Sequence, residues 1–268
     1  MPPGRRSATG DNRRRTGIQR QPVPGPGSTV RWPSSVPRVG ERSGLEERLT
    51  VCRRILDDPP KVHPNAPNGS VWRTGRACYE FMANQVQPGC RTLETGTGAS
   101  TVMFAAWGCD HTAIVPSEHQ SAIILDYCTE NAIPTEMLRF DLRPSEVALP
   151  EMKDEPPFDL VFIDGAHGFP MPTIDWFYGA SLLRQGGVVV FDDVKLAAVR
   201  TLLDAYLERD DRWQWLGGKS VFRAYRRMTL DDLGEDDSNR SILLGPKPSH
   251  KERWKSLPGN LVAKITRS

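Results

Sequence analysis

Three carboxylates and one histidine fall just after two apolar segments in the middle of the chain. Asp164 and His167 follow Phe-Asp-Leu-Val-Phe-Ile, and Asp192 and Asp193 follow Gly-Val-Val-Val-Phe. If the two segments are neighbouring parallel strands, these side chains converge at the carboxyl edge of the sheet. Carboxylates held that close repel one another unless one is protonated or a cation binds, and hard oxygen ligands favour Mg²⁺, Ca²⁺ or Mn²⁺. The imidazole of His167 could accept a proton from a substrate hydroxyl near neutral pH.

Each of these residues also has a purely structural explanation. Either Asp192 or Asp193 could cap the N-terminus of the following helix, and His167 could be an ordinary loop residue. We favour a shared site over the explanation in which all three acids are only caps, because neighbouring strand ends bring every one of them to the same edge.

A second stretch that could bind a ligand is Leu-Glu-Thr-Gly-Thr-Gly-Ala-Ser, residues 93–100. It predicts a short strand that runs into a glycine turn and then into a helix beginning near Ser100. Gly96 and Gly98 can take positive φ and let a ligand approach bare backbone, and the helix offers unpaired N–H groups. Glu94 could orient the loop or meet the cationic part of a cofactor. Such turns also occur for steric reasons alone, so this one indicates a nucleoside-bearing cofactor only together with the acids downstream.

The elements that must position these residues alternate between strand and helix. Repeated strand–helix units predict an α/β fold, a doubly wound, Rossmann-like sheet that is mostly parallel and binds ligands at the carboxyl ends of its strands. Gly217-Gly218 predicts a C-terminal antiparallel hairpin. The predicted strands are Thr92–Thr95, His111–Val115, Met137–Phe140, Phe158–Ile163 and Gly187–Phe191, followed by the hairpin strands Arg212–Leu216 and Ser220–Arg226. The predicted helices are Leu45–Leu56, Val71–Val86, Ser100–Trp107, Glu118–Asn131, Thr173–Arg184 and Val194–Leu207.

Charge is distributed unevenly over the 268 residues. The net charge is +2, but residues 1–43 hold nine Arg against Asp11 and Glu41, so the remainder of the chain is net acidic. That remainder gives no electrostatic reason to expect nucleic acid. The five cysteines have no C-x-x-C or metal-binding spacing, which fits a reducing compartment, and no apolar run approaches the ~20 residues of a membrane helix. We expect a cytoplasmic protein without nucleic-acid or membrane partners, and a homodimer is left open.

Composition divides the chain into four predicted parts. Residues 1–43, rich in Arg, Pro, Gly and Ser, form a disordered basic leader. Residues 44–90 form an N-terminal helical cap, which covers either the cofactor site or only the sheet. Residues 91–228 form the cofactor-binding domain, and residues 229–268 form an extension that docks on the body or is partly disordered.

Three motifs in a fixed order resemble those of class I S-adenosylmethionine-dependent methyltransferases: residues 93–100, 161–167 and 183–194. The resemblance covers residues 70–226. It is strongest to the small-molecule O-methyltransferases, which include catechol-type and sugar-type metal-dependent enzymes. It implies a seven-stranded sheet whose last two strands are the hairpin.

By position, the resemblance also implies a set of site residues. Asp164, Asp192 and Asp193 would hold a divalent cation, which grips the acceptor oxygen, lowers its pKa and aims it at the methyl group. His167 would be the general base, and Asp164 would be the second catalytic residue. The implied S-adenosylmethionine contacts are Glu94, Gly96, Thr97, Gly98, Ser100 and Asp164, with Asp141 or Ser145 at the adenine.

One position departs from the family pattern. In the family, strand two usually ends in an acid that binds the ribose hydroxyls, whereas this chain has Val115 or Pro116 there. Glu118 could reach in from a few residues further on, and Ser117 could substitute weakly. Loss of the acid's hydrogen bonds would weaken cofactor binding by about 1–3 kcal/mol.

The sequence therefore predicts methyl transfer from S-adenosylmethionine to a hydroxyl of a small molecule, assisted by Mg²⁺ or another divalent cation. The alternative is a catalytically inactive protein of the same fold with a binding or regulatory role, which the missing acid and the long tails motivate. A nicotinamide-dependent oxidoreductase fits less well, because Gly96, Gly98 and Thr101 depart from the full dinucleotide fingerprint.

Overall fold

A seven-stranded sheet forms the centre of the structure, a computed structural model that describes residues 39–62, 74–218, 220–231 and 233. In chain order the strands are β1 (Arg91–Thr95), β2 (Asp110–Ile114), β3 (Leu138–Asp141), β4 (Phe158–Ile163), β5 (Leu183–Phe191), β6 (Trp213–Gly218) and β7 (Arg223–Arg227). Their order in the sheet is β3-β2-β1-β4-β5-β7-β6. Strands β1 to β5 are parallel, and β7 pairs antiparallel with both β5 and β6. The predicted fold class is confirmed. Most of the predicted leader and extension lies outside the described residues.

The central strand β4 is apolar along most of its length because both faces of the sheet are covered. Leu160 and Phe162 face one hydrophobic cluster, whereas Val161 and Ile163 face the other. Successive side chains of a strand point to opposite faces, so burial on both faces requires an almost unbroken apolar run. The strand then ends abruptly at Asp164, which puts a carboxylate at the carboxyl edge of the sheet.

Within the described residues, seven α-helices cover the two faces of the sheet. Helices α1 to α4 contribute to one cluster and α5 to α7 to the other, and none of them has the length and apolar character to cross a bilayer. Their bounds are α1 (Val39–Asp57), α2 (Arg76–Gln85), α3 (Ala99–Ala106), α4 (Glu118–Glu130), α5 (Ser145–Glu151), α6 (Met171–Ser181) and α7 (Ala197–Leu202). A 3₁₀ turn (Met152–Asp154) follows α5, and a π-helical turn (Leu203–Leu207) continues α7.

The two N-terminal helices differ from their predicted bounds. Helix α1 begins at Val39, inside the predicted leader. Helix α2 begins at Arg76 rather than Val71, because Gly75 is extended and serves as its N-cap. A Cβ on Gly75 would lie 2.8 Å from Cγ1 of Val221, so a glycine lets this helix start pack tightly against the loop between β6 and β7.

Further differences occur later in the chain, and three of them concern β5, β6 and α5. Strand β5 begins at Leu183 rather than Gly187, with an irregular register against the start of β4. Gly217 and Gly218 end β6 instead of forming the hairpin turn. Helix α5 was not predicted, because it is only seven residues long and contains Pro150, which breaks the helical sequence pattern.

All five cysteines are free and buried, and all belong to the cluster beneath α1 to α4. Burial is the largest cause of a raised pKa for every one of these thiols. The absence of any pairing among them agrees with their scattered spacing. They are Cys52, Cys78, Cys90, Cys109 and Cys128.

Candidate functional site

A cavity of about 700 Å³, hereafter the cleft, opens at the carboxyl edge of the sheet. It lies where β1, β2, β4 and β5 end, which is where doubly wound sheets bind ligands. Its wall includes the glycine turn, the loop after β4 and the acids after β5, together with Tyr79 of α2 and Ser145 of α5. Helix α2 therefore covers the sheet and also reaches the cleft. The volume lies within the ~300–1,000 Å³ of sites that hold small molecules and cofactors.

The two glycines of the turn have different physical roles. Gly96 has φ of +96°, and a Cβ there would lie 2.4 Å from the carbonyl oxygen of Asp164, so no side chain fits. Gly98 has φ of 174°, which is ordinary extended backbone, and a Cβ there would meet nothing within 4 Å of the described structure. The predicted positive φ is therefore wrong for Gly98, because this residue is the N-cap of α3, where its N–H donates to Oγ1 of Thr101 at 3.0 Å. Because Gly98 has no side chain, the space beside it in the cleft stays open.

Glu94 lies below the glycine turn rather than on the cleft wall. Its carboxylate is fully buried and accepts hydrogen bonds from Ser100 Oγ (2.6 Å) and Thr101 Oγ1 (3.1 Å). Nε2 of His111 lies 3.1 Å from the same carboxylate, and Oγ1 of Thr92 lies 2.8 Å from Nδ1 of that ring. Of the two roles that the sequence left open for Glu94, orienting the loop is the one that these contacts perform.

The other two residues predicted in the turn line the cleft. Thr97 pairs its hydroxyl with that of Thr101 at 2.9 Å. Ser100 lies at the start of α3, although its hydroxyl is directed at Glu94. The turn therefore offers a ligand mainly backbone and the N-terminus of a helix.

At the end of β2, neither predicted substitute for the missing acid lies on the cleft wall. Ser117 caps α4 by accepting a hydrogen bond from the backbone N–H of Gln120 at 3.3 Å. Glu118 is exposed to solvent. Gln120, in the first turn of α4, lines the cleft together with Val115 and Pro116. The sequence could have indicated Gln120, because a side chain in the first turn of a helix points back towards its N-terminus.

Of the two residues predicted at the adenine, one lines the cleft and the other does not. Ser145, at the start of α5, is on the wall. Asp141 is held by Arg143, whose guanidinium donates to it at 2.9 and 2.6 Å, and this arrangement lowers the pKa of the Asp141 carboxyl. Asp141 faces a separate cavity of about 270 Å³, which is also lined by Arg139.

Asp164, His167 and Asp193 form one compact set, hereafter the acid–histidine group, whose ligand atoms all lie within 4.8 Å of one another. His167 Nε2 is 3.0 Å from Oδ2 of Asp193 and 3.7 Å from Oδ1 of Asp164. Asp192 lines the same cleft but is buried and does not belong to the group. The structure thus combines two of the three predicted metal ligands with the predicted base.

Asp193 owes its position to an unusual backbone conformation. Its φ is +49°, a left-handed value that costs a non-glycine residue about 1–3 kcal/mol and that the surrounding structure must hold in place. The backbone carbonyl of Asp193 accepts a hydrogen bond from the N–H of Leu196 at 2.8 Å, which fixes the turn. Such strain is often found where a side chain must be aimed at a site.

Burial and neighbouring groups favour the protonated forms of Asp164 and His167 in the acid–histidine group. Burial, together with the neighbouring charges of Asp192 and Glu94, raises the pKa of Asp164 to about 7, although the contact with His167 opposes the rise. The same contact with Asp164, followed by the charge of Asp193, raises the pKa of His167. Burial also raises the pKa of Asp192. A cation that bound here would displace these protons.

The chemistry of the group fits a divalent cation. The two carboxylates offer the oxygen ligands that Mg²⁺ and Mn²⁺ prefer, whereas the imidazole beside them is available as a base. Metal–ligand bonds of ~2.0–2.6 Å place opposite ligand atoms up to about 5 Å apart, which accommodates the observed 4.8 Å spread. Asp164 and Asp193 would therefore supply the carboxylate oxygens.

Thr74 and Asp175 are among the polar residues at the cleft that were not predicted. Thr74 lines it beside Asp192, just before α2. Asp175 of α6 lies behind its wall and is only 1% exposed. No sequence signal identified either one, since Thr74 precedes the predicted strands and Asp175 sits inside a helix.

Comparisons with known proteins find similarity to methyltransferases. Residues 93–194 match the family model described as a methyltransferase domain. A search of curated proteins by sequence finds no match. Solved structures with the same fold include the SAH-bound methyltransferase PaMTH1 of Podospora anserina (16% identity, TM-score 0.49, covering 74% of this chain and 100% of that one). They also include a Bacillus cereus O-methyltransferase in complex with SAH (19%, 0.47, 72% and 94%) and a Streptococcus thermophilus rRNA methylase (14%, 0.46, 60% and 99%).

These likenesses to solved structures concern the fold alone. The match over residues 93–194 covers the glycine turn, the loop after β4 and the acids after β5. Residues 93–194 of this chain thus match a methyltransferase domain, and they lie within a sheet of strand order β3-β2-β1-β4-β5-β7-β6.

Proposed function

We propose that this protein transfers the methyl group of S-adenosylmethionine to a hydroxyl oxygen of a small molecule, with the assistance of a divalent cation. The observation that carries the proposal is that the glycine turn and the acid–histidine group face the same cleft. Methyl transfer requires an activated oxygen to approach the methyl carbon in line, so donor and acceptor must share one space.

The side of the cleft beneath the glycine turn supports cofactor binding. The open space at Gly98 and the N-terminus of α3 present backbone to a ligand, and Gln120 and Ser145 add an amide and a hydroxyl to the wall. Amide and hydroxyl groups can bond the ribose and the base without a charge. When bound, S-adenosylmethionine supplies an electrophilic methyl group on a sulfonium.

The acid–histidine group supports hydroxyl activation. Asp164 and Asp193 would hold a cation, which when bound would lower the pKa of the acceptor oxygen. His167, 3.0 Å from Asp193, is placed to accept the hydroxyl proton as the new oxygen–carbon bond forms and the sulfur–carbon bond breaks. Because the contact with Asp164 raises the pKa of His167, its neutral, proton-accepting form becomes populated at a higher pH than that of an ordinary imidazole.

Charge supports a small acceptor over a nucleic acid. Beyond residue 43 the chain is net acidic, and the part of the cleft that would meet an acceptor carries carboxylates. A phosphate backbone would be repelled there.

Calorimetry and turnover together test the proposal. S-adenosylmethionine should bind with saturation, and a panel of phenols, catechols and sugars should yield a methylated product that requires Mg²⁺ or Mn²⁺ and is abolished by EDTA. Asp193→Asn should lower turnover by at least about tenfold while cofactor binding persists. Asp126→Asn, the same change at an exposed position on α4, is the matched control and should leave turnover unchanged. If turnover persists in EDTA, methyl transfer does not require a divalent cation, and that part of the proposal is wrong.

The test also addresses the inactive alternative, which the end of β2 motivates because none of the described residues there adds an acid to the cleft wall. Cofactor binding without transfer to any acceptor would favour a binding or regulatory protein of this fold. Absence of S-adenosylmethionine binding would contradict both functions.

A further inference from the structure

Asp175 is a buried carboxylate that the proposed chemistry does not use. It is the fifth residue of α6 and is 1% exposed. Neither of its carboxylate oxygens has an aligned hydrogen-bond partner in the part of the chain that the structure describes. A carboxylate is costly to bury without partners, and burial accordingly raises its pKa.

The usual structural roles of an aspartate do not explain this position. An aspartate that caps a helix precedes its first turn, whereas Asp175 lies inside α6. Among the described residues it forms no salt bridge with a basic side chain. The groups that favour its charged form are the hydroxyls of Ser145 and Thr95, in that order, and more remotely His167.

These hydroxyls belong to loops that meet at the cleft. Thr95 ends β1, Ser145 begins α5 after β3, and Gly165 follows β4; all three line the cleft. A Cβ on Gly165 would lie 3.1 Å from Oδ2 of Asp175 and 3.0 Å from Oγ1 of Thr95. Oγ1 of Thr95 is itself buried and without an aligned partner. Unsatisfied donors and acceptors therefore face one another directly behind the cleft wall.

We infer that Asp175 is a positioning residue of the cofactor site, whose carboxylate accepts hydrogen bonds from Thr95 and Ser145 and so holds the loops after β1 and β3 against the loop after β4. The described structure shows no hydrogen bond at either carboxylate oxygen of Asp175, so ligand binding is the event that would close these contacts. Asp175 would then act through the loops without touching the cofactor. This inference rests on the proposed binding of S-adenosylmethionine in the cleft.

Three variants and two measurements test the role. The dissociation constant of S-adenosylhomocysteine, measured by calorimetry, should rise about tenfold or more in Asp175→Ala. It should stay within about threefold of wild type in Asp175→Asn, which keeps an oxygen acceptor. In Gly165→Ala, affinity should fall because the added methyl group lies between the carboxylate and Thr95. KM for S-adenosylmethionine should rise in Asp175→Ala, whereas kcat at saturation should change little.

The thermal midpoint without ligand separates positioning from a merely structural role. Because the carboxylate is unpaired without ligand, Asp175→Asn should melt at or above the wild-type temperature. If Asp175→Ala does not fold, a double-mutant cycle of Asp175→Asn with Ser145→Ala replaces it. Ser145→Ala should then reduce the affinity for S-adenosylhomocysteine less in the Asp175→Asn variant than in the wild-type protein.

The outcomes distinguish this inference from the proposed function. If the wild-type protein binds neither S-adenosylmethionine nor its demethylated product, the proposed function fails. If the wild-type protein binds and Asp175→Ala binds equally well, or if the Ala and Asn variants lose the same affinity, Asp175 is not a positioning residue and the proposed function stands.

Discussion

Replacement of Gly96 by alanine should destabilise the fold before it affects any chemistry. The alanine would have to adopt φ of +96°, and its Cβ would lie 2.4 Å from the carbonyl oxygen of Asp164 and 3.1 Å from the carbonyl carbon. That backbone cannot withdraw freely, because the N–H of Asp164 donates to the carbonyl of Thr95 at 3.1 Å. Gly96 is held from its other side by the carbonyl of Ile114, to which its own N–H donates at 2.9 Å.

The magnitude follows from two additive costs. A non-glycine residue at such a φ costs about 1–3 kcal/mol, and forcing a methyl group into packed backbone costs about 1–3 kcal/mol more. The expected loss is therefore at least about 2 kcal/mol of the free energy of unfolding. For a domain of this size, that loss lowers the melting temperature by at least about 4 °C.

Gly98→Ala is the matched control, since it adds the same methyl group two residues away. Gly98 is extended, and its Cβ would meet nothing within 4 Å of the described structure, so the loss of stability should be about 1 kcal/mol or less. Affinity for S-adenosylhomocysteine should nevertheless fall, because the methyl group enters the cleft. Thermal unfolding and calorimetry measure the two effects. The reasoning would be refuted if Gly96→Ala melted within about 1 °C of wild type, or if both variants lost equal stability.

Two further predictions concern ionisable groups, of which Asp164 is partly buried and His111 is fully buried. The folded-state pKa of Asp164, about 7, exceeds its usual value, so its contribution to stability is full below the unfolded pKa and is lost as the pH rises through 7. In EDTA, Asp164→Asn should therefore gain stability relative to wild type between pH 5 and pH 8 in urea unfolding; an identical difference at both pH values would contradict the raised pKa. His111→Phe keeps a ring stacked on Phe104, whose centroid is 4.6 Å away, but removes the contacts to Glu94 and Thr92. It should lower the free energy of unfolding by about 1–3 kcal/mol, and an unchanged urea midpoint would show that these contacts contribute nothing.

The parts of the fold that the sequence predicted are those governed by local pattern. The apolar run of β4 implied burial on both faces, and the structure has the predicted strand, Phe158–Ile163, without change. Because its neighbour β5 ends at the same edge, the placement of Asp164 and Asp193 in one cleft also followed from pattern. The glycine turn was equally local.

What the sequence did not predict depends on contacts between distant segments. The position of Glu94 below the turn depends on His111, which only strand pairing brings beside it. Asp175 approaches the cleft only because α6 packs behind the loop after β4. Gln120 replaced Ser117 and Glu118 at the cleft because the exact start of α4 decides which side chain faces inward. Periodicity gives the presence of a helix more reliably than its first residue.

The cysteines are distributed so that their chemical modification can detect local unfolding on one side of the sheet. All five thiols lie in the layer beneath α1 to α4, and none lies in the layer beneath α5 to α7. Only a thiolate reacts readily, and burial raises the pKa of Cys52 to about 12 and that of Cys128 to about 11. A thiol-modifying reagent should therefore react very slowly with the closed protein. Local unfolding of the layer beneath α5 to α7 should not increase this rate, because that layer contains no cysteine. Thiol modification would instead measure how often helices α1 to α4 separate from the sheet. The five native cysteines therefore report local unfolding of this layer alone.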